Sequence, residues 1–231
     1  MNGILIVDKP KGITSHDAVN VVRRLFNTKR VGHAGTLDPI ATGVLVILVG
    51  EATKRSDSLL SEDKSYTVTL RLGTATDTAD ASGKVIRTGS TEGLRPDAVK
   101  EAIMSFVGET EQIPPMYSAV KFKGKTLYKW ARKGVEVPRE PRRINIKEIH
   151  IKDVSLPDVV FDITSSKGTY MRQLCEDIGE RLGCGGHMAE LRRTRSGAYD
   201  ISHAVALDKL KAADLICQIP ACRQAGNQVS A

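Results

Sequence analysis

Residues 32–49 read Gly32-His33-Ala34-Gly35-Thr36-Leu37-Asp38-Pro39-Ile40-Ala41-Thr42-Gly43-Val44-Leu45-Val46-Ile47-Leu48-Val49. The last six residues are too uniformly apolar for a strand with one wet face, so they predict a strand buried on both sides. The first eight, Gly32 to Pro39, read as a loop that feeds this strand. A carboxylate at Asp38 is then held on rigid scaffold while it still faces a cleft, a good place for a nucleophile or base. The glycines let backbone or substrate approach closely, and Pro39 fixes the turn after the acid. An aspartate before proline in a loop is more often a turn-former or helix cap, so Asp38 alone does not establish a catalytic role.

Towards the N-terminus, residues 3–7 read as an apolar strand and Lys9-Pro10-Lys11-Gly12 as a turn. Ser15 can cap a helix over 16–26, where Val19, Val22 and Phe26 share one face. Towards the C-terminus, a short helix follows Gly50, and residues 66–72 alternate as a strand with one wet face. The polar segment 74–83 carries Asp77 and Asp80, which read as turn and network residues, with a metal role as the other reading. Pro96 opens a helix to about Phe106. Residues 142–154 alternate again, with Ile144, Ile146, Ile149 and Ile151 as apolar members. Residues 159–164 form another strand, 168–182 a helix and 207–215 a last helix. No internal repeat is visible. The elements follow no regular β-α-β beat, so the expected class is α+β, a mixed, largely antiparallel sheet with flanking helices.

The charge is unevenly spread. Between Lys121 and Lys152 eleven basic residues face only Glu136, Glu140 and Glu148, while the whole chain carries just +7. One strongly positive stretch on a near-neutral body is the footprint of a polyanion-binding face; a solvated helix and strand surface is the plainer reading. No run of 18 apolar residues exists, which argues against a membrane span. The start, Met1 to Lys9, has no basic region before its apolar stretch and reads as a strand, not a leader. Cys175, Cys184, Cys217 and Cys222 then read as reduced thiols of a cytoplasmic protein. Cys184-Gly185-Gly186-His187 invites a metal reading, but it lacks the paired spacing of a zinc site, so no metal is expected.

A second constellation bears on Asp38. Ser166-Lys167-Gly168-Thr169-Tyr170-Met171-Arg172 follows an apolar strand and opens a helix. An arginine close to a catalytic carboxylate keeps it ionised and oriented, and a tyrosine beside it can stack on a base or move a proton. Tyr170 as a core residue and Arg172 as a phosphate or surface contact are the plain alternatives.

Taken together, six segments resemble one family, the bacterial tRNA pseudouridine synthases of the TruB type. They are Lys9-Pro10-Lys11-Gly12-Ile13-Thr14-Ser15; Gly32 to Pro39 continuing through Ala41-Thr42-Gly43-Val44-Leu45; Lys64-Ser65-Tyr66; Ile113-Pro114-Pro115-Met116-Tyr117-Ser118-Ala119-Val120-Lys121; Ser166 to Arg172; and Leu191-Arg192-Arg193-Thr194-Arg195-Ser196-Gly197. The resemblance runs over residues 3–213 with the motifs in order. It implies the pseudouridine synthase catalytic fold and an isomerase that converts uridine-55 in the tRNA T-loop to pseudouridine, without cofactor, metal or guide RNA and with no obligate protein partner. It makes Asp38 the essential carboxylate and Arg172 its counter-charge. Tyr66 stacks on the flipped base and accepts the C5 proton, Tyr170 and Leu191 line the uracil pocket, and His33 holds the base out. The segment at about 117–140 becomes an RNA-gripping loop for the T-arm, with Lys121, Lys123, Lys125 and Arg132 as phosphate contacts.

Physical chemistry asks for the same parts. A base inside folded RNA is reached only by flipping it out, which costs a few kcal/mol that stacking and apolar walls must offset. A carboxylate in a partly dry site needs a cation. A non-catalytic RNA binder has no use for Asp38, Tyr66, Tyr170 and Arg172 together, and a glycosidase needs a second acid that no motif supplies. Members of the family continue into a small RNA-binding module, so the expected organisation here is a catalytic domain over 1–215 and a polar tail over 216–231 without that module.

Overall fold

The computed structural model describes residues 2–216. The expected polar tail, with Cys217 and Cys222, lies outside the described residues. In chain order the elements begin with β1 (Gly3–Lys9), α1 (Ser15–Leu25), β2 (Val31–His33), β3 (Thr42–Val49), α2 (Ser56–Leu60), β4 (Lys64–Leu72), β5 (Thr74–Thr76), β6 (Val85–Thr88) and α3 (Pro96–Met104). They continue with β7 (Gly108–Gln112), β8 (Lys121–Phe122), β9 (Lys125–Thr126), α4 (Leu127–Ala131), β10 (Arg142–Ser155), β11 (Asp158–Ser165), α5 (Met171–Arg181), β12 (Gly186–Ser196), β13 (Tyr199–Asp200) and β14 (Val205–Ala206). The described residues divide into two compact units, 2–61 with 195–216, and 62–194. The class is α+β, as expected.

In the first unit β1 and β3 pair antiparallel along their whole lengths, from Gly3 opposite Val49 to Lys9 opposite Gly43, and β14 joins β1 in parallel. β3 is buried from Gly43 to Val49, which explains its unbroken apolar run. Val44, Val46 and Leu48 pack with Ile4, Ile6, Ala34, Ala52 and Leu59, and Tyr199, Ile201 and Ile216 close the cluster. α1 presents Ala18, Val19 and Val22 as its buried face.

Three expectations need correction in this unit. The cap of α1 is Thr14, not Ser15: Thr14 Oγ1 accepts the Asp17 N–H at 3.1 Å and the Asp17 carboxylate accepts the Thr14 N–H at 2.9 Å. This reciprocal pair satisfies two exposed donors and leaves the Ser15 hydroxyl for another task. The loop expected from Gly32 begins later, because Val31, Gly32 and His33 pair with Val49, Leu48 and Ile47 as β2. No helix spans 207–215. Two single 3-10 turns, Leu207–Lys209 and Ala212–Asp214, are separated by extended backbone at Leu210 and Lys211. The Asp214 carboxylate accepts the Lys211 N–H at 2.7 Å, a local side-chain bond that starts a new turn instead of continuing a helix.

The second unit is a sheet in the order β12-β4-β11-β10-β7. β4, β11, β10 and β7 pair antiparallel, with Tyr66 opposite Ile163 and Arg142 opposite Gln112. α3 packs on β10 and α5 on β4. The alternation of β10 hides a switch of phase. Ile144 and Ile146 are buried, and then Ile149 is, because Lys147 is an extra residue between the pairs Ile146–Ser165 and Glu148–Thr164. Such a bulge turns the following side chains to the other parity. The helix expected from Gly168 starts only at Met171, after Gly168 at φ +81° and an extended Tyr170.

Candidate active site

In the first unit the loop between β2 and β3 carries Asp38. The backbone on either side of it is pinned. Ser15 Oγ accepts the Leu37 N–H at 2.8 Å and donates to the Leu37 carbonyl at 3.0 Å, in a site where Ser15 is 2% exposed. The Gly12 N–H donates to the Pro39 carbonyl at 2.7 Å, and the Ala41 N–H to the Asp38 carbonyl at 3.0 Å. Gly12 (φ +93°) lies in backbone that favours glycine, which is what lets that turn reach Pro39. The turn is itself filled by Lys9, fully buried, whose ammonium donates to the Pro10 and Ile13 carbonyls at 2.8 Å each. Asp38 is half-buried on this braced loop, and His33 is half-buried at the end of β2. A carboxylate so held has little freedom to lose when a substrate arrives.

In the second unit the turn that opens α5 carries Tyr170 and Arg172. Arg172 is buried, and its guanidinium meets acceptors from two other segments of the same unit. Nη2 donates to the Tyr117 carbonyl at 2.7 Å, Nη1 to the Thr78 carbonyl at 3.2 Å, and Nε lies 3.8 Å from Asp80 Oδ2. Asp80 is buried as well and is organised by its own turn: Oδ1 accepts from Thr78 Oγ1 at 2.8 Å and from the Ser82 N–H at 2.9 Å. A buried guanidinium needs such a carboxylate and such carbonyls to remain charged and oriented. Asp77 caps the same turn by accepting the Lys84 N–H at 2.7 Å. The network role read for these two aspartates in the sequence is what their hydrogen bonds describe. Tyr170 is half-buried, and its backbone N–H and carbonyl are both taken by the Gln112 amide.

Tyr66 lies on the buried face of β4 with Lys64, Val68, Leu70 and Leu72. The Arg193 guanidinium interacts with the Tyr66 hydroxyl. Arg193 is 1% exposed, and burial pushes its guanidinium down from its ordinary range, with Tyr66 working in the opposite direction. Leu191, buried two residues earlier on β12, lies on the same side of its strand as Arg193. Burial and then the Arg193 charge push the Lys64 ammonium down to about 8, and its Nζ donates to the Glu62 carbonyl at 2.6 Å. This unit therefore gathers an aromatic ring, an apolar wall and a fixed cation on one face.

The sequence reading missed Gln112 and Arg193 as parts of this arrangement, and it gave Ser15 a different task. Lys64 and Arg193 stand inside quoted motifs, but nothing in their type announces burial. Cys184 and His187 have structural partners: the thiol lies 3.3 Å from the Gly185 carbonyl and His187 Nδ1 lies 2.8 Å from that of Thr74. Burial pushes the Cys175 thiol up, which makes it an inert core group. Among the described residues no group of three or more His, Cys, Asp or Glu is placed to hold a metal ion, and no helix is long and apolar enough to cross a membrane.

The basic segment forms a small folded piece. β8 and β9 make a two-residue hairpin with Lys123 at φ +47° and Gly124 at φ +78°, and α4 follows. Phe122 and Trp130 meet edge to face with centroids 6.5 Å apart. Lys123 lies over Phe122, Lys125 over Trp130 and Arg132 over Tyr128, each 5.5 Å from the ring centroid. Lys121, Lys123, Lys125 and Arg132 are all exposed. Arg139 closes the base of the segment by donating to the Pro114 carbonyl at 3.2 Å.

Two family descriptions match the chain: "TruB family pseudouridylate synthase (N terminal domain)" over residues 23–171 and "tRNA pseudouridylate synthase B C-terminal domain" over 172–219. Proteins named tRNA pseudouridine synthase B are similar along most of the chain. That of Syntrophotalea carbinolica is 50% identical over 211 residues, 91% of this chain and 69% of the relative. That of Alkaliphilus oremlandii is 51% identical over 212 residues, 92% and 71% respectively. Among solved structures, a chain of a Cbf5-Nop10-Gar1 complex superposes with a TM-score of 0.71 at 32% identity, covering 90% of this chain. A chain of an H/ACA RNP bound to a substrate RNA containing 2'-deoxyuridine does so with 0.67 at 28%. This chain spans about half the length of those two, 53% and 52%.

Proposed function

The chain belongs to the TruB family of pseudouridylate synthases, and from that premise we propose that it isomerises uridine-55 in the T-loop of tRNA to pseudouridine through Asp38 and a flipped-out base. Its curated relatives at half identity are tRNA pseudouridine synthases, so the coarse activity is that of an isomerase acting on tRNA. The observation that carries the finer reading is the braced loop of Asp38, held by Ser15 at Leu37 and by Gly12 at Pro39. A loop that existed only to turn the chain would need no such bracing of the backbone beside one half-buried carboxylate.

In this reading the glycosidic bond to N1 breaks, the base turns, and the sugar carbon bonds to C5. The C5 proton leaves and N1 gains one, so the reaction is balanced without a co-reactant. Asp38 is the essential carboxylate, and Arg172 is the cation that acts with it. Tyr66, oriented by Arg193, stacks on the base and accepts the C5 proton. Tyr170 and Leu191 wall the uracil, and His33 helps hold the base out of its stack. Lys121, Lys123, Lys125 and Arg132 grip T-arm phosphates. The enzyme works in the cytoplasm, without cofactor, guide RNA or obligate protein partner.

The test is direct. Unmodified tRNA transcript is incubated with the protein, and pseudouridine is mapped by chemical derivatisation. Wild type is expected to modify position 55. Asp38→Asn is expected to bind the transcript with unchanged affinity and to form no pseudouridine. An inactive wild type would refute the reaction, modification elsewhere would refute the position, and an active Asp38→Asn would refute the role of the carboxylate.

A further inference from the structure

The root of the basic segment is tied to the turn that opens α5 by a side chain that no motif announced. Gln112 ends β7 and is 4% exposed. Its Nε2 donates to the Tyr170 carbonyl at 3.1 Å and its Oε1 accepts the Tyr170 N–H at 2.8 Å, across 58 residues of sequence. One amide thus copies the paired hydrogen bonds that a neighbouring strand would supply. Five residues further on, the Tyr117 carbonyl accepts Arg172 Nη2 at 2.7 Å. Two successive points on the root of the segment therefore hold two nearly successive residues, Tyr170 and Arg172. Beyond the root, Ser118 Oγ, Thr126 Oγ1 and Trp130 Nε1 are buried without a hydrogen-bond partner among the described residues. The piece beyond the root keeps its backbone bonds, such as the Leu127 N–H to the Val120 carbonyl at 2.7 Å, and leaves these three side-chain groups unsatisfied.

Tyr170 precedes α5 in extended backbone, and its own side chain makes no capping bond there. Its carbonyl also accepts the Leu174 N–H at 3.0 Å as the first bond of α5, so without Gln112 it is the Tyr170 N–H, ahead of the helix, that would lose its partner. We propose that Gln112 is a positioning residue for the reaction: it registers the backbone of Tyr170, and through it Arg172, against the root of the RNA-gripping segment. Engagement of RNA by that segment and correct placement of the Arg172 guanidinium then become one mechanical event. This inference rests on the roles assigned to Tyr170 and Arg172 under the proposed function.

The experiment uses the full chain and a T-arm stem-loop RNA containing the target uridine. Single-turnover rate at saturating RNA, Kd, and hydrogen exchange at the Tyr170 amide of the free protein are measured for wild type, Gln112→Met and Gln112→Glu. Gln112→Met keeps the length but neither bond. It is expected to lose roughly ten-fold or more in rate with Kd unchanged, because small misplacements of catalytic groups are costly. Its Tyr170 amide is expected to exchange faster. Gln112→Glu, when ionised, keeps only the acceptor half of the clamp. Protonation of the buried carboxyl restores a donor to the Tyr170 carbonyl, so its rate relative to wild type is expected to rise as pH is lowered from about 8 to about 6. Wild-type rates in both variants, a loss confined to Kd, or a deficit in Gln112→Glu that is equal at every pH would overturn the proposal. So would unchanged exchange at Tyr170, whether or not the wild type forms pseudouridine. An inactive wild type with faster exchange in Gln112→Met would remove the assigned reaction and leave the clamp supported.

Discussion

Ser15 uses one hydroxyl for both backbone groups of Leu37, the residue before Asp38. Replacing it with alanine leaves a buried N–H and a buried carbonyl without that partner, a cost of about 1–3 kcal/mol. Ser15→Ala should therefore lower the denaturant midpoint with an unchanged m-value, and it should slow pseudouridine formation more than the fraction of folded protein accounts for. A rate that simply tracks the folded fraction would mean that Asp38 is held by other bonds. The sequence marks this site only in part. Thr14-Ser15-His16-Asp17 offers two adjacent hydroxyls before a helical pattern, and the backbone alone selects which one caps. Asp38 and Arg172 are candidates from the sequence because each stands in a long motif. Gln112 and Arg193 are not, because their meaning depends on partners brought near by the sheet, and a glutamine at a strand end carries no mark of the backbone it will hold.

At the scale of elements, period and punctuation carried most of the reading, and each departure has a local cause. The apolar members of β10 change parity between Ile146 and Ile149, which is the trace of the bulge at Lys147. Residues 207–215 have helix-compatible composition, but Asp214 bonds back to Lys211 and divides them into two turns. The hairpin of β8 and β9 offers a sharper test. Lys123 and Gly124 both have positive φ, the requirement of the tight turn whose twist suits a two-residue hairpin. No atom lies within 4 Å of a Cβ built on Gly124, so a side chain there meets backbone strain and no steric clash. Gly124→Val should cost the hairpin about 1–2 kcal/mol. The hairpin is a peripheral piece, so the loss should surface as weaker tRNA binding with a melting temperature within about 2 °C of wild type, measured by filter binding and calorimetry. Unchanged affinity would show that the hairpin does not need this turn to bind.

At the scale of the whole molecule, the charge is concentrated where the sequence placed it. The stretch from Lys121 to Lys152 holds eleven of the 34 basic residues and only three of the 27 acidic ones. Its ammonium groups at Lys123 and Lys125 rest over Phe122 and Trp130 yet remain exposed, so they are positioned without being desolvated. A phosphate arriving there displaces counterions instead of breaking a buried pair. Lys121, Lys123 and Lys125 form no ion pair with a described acid within 4.0 Å, whereas Arg139 pairs with Glu136 and Lys147 with Asp63. Converting the three lysines together to glutamine should therefore leave folding nearly untouched and weaken tRNA binding at low salt. The slope of log Kd against log salt should fall by about 2 to 3, one increment per lost phosphate contact. Arginine at the same three positions should restore the slope, because the effect depends on charge and not on lysine as such. An unchanged slope in the glutamine variant would place the tRNA backbone on another face and leave this segment a solvated surface.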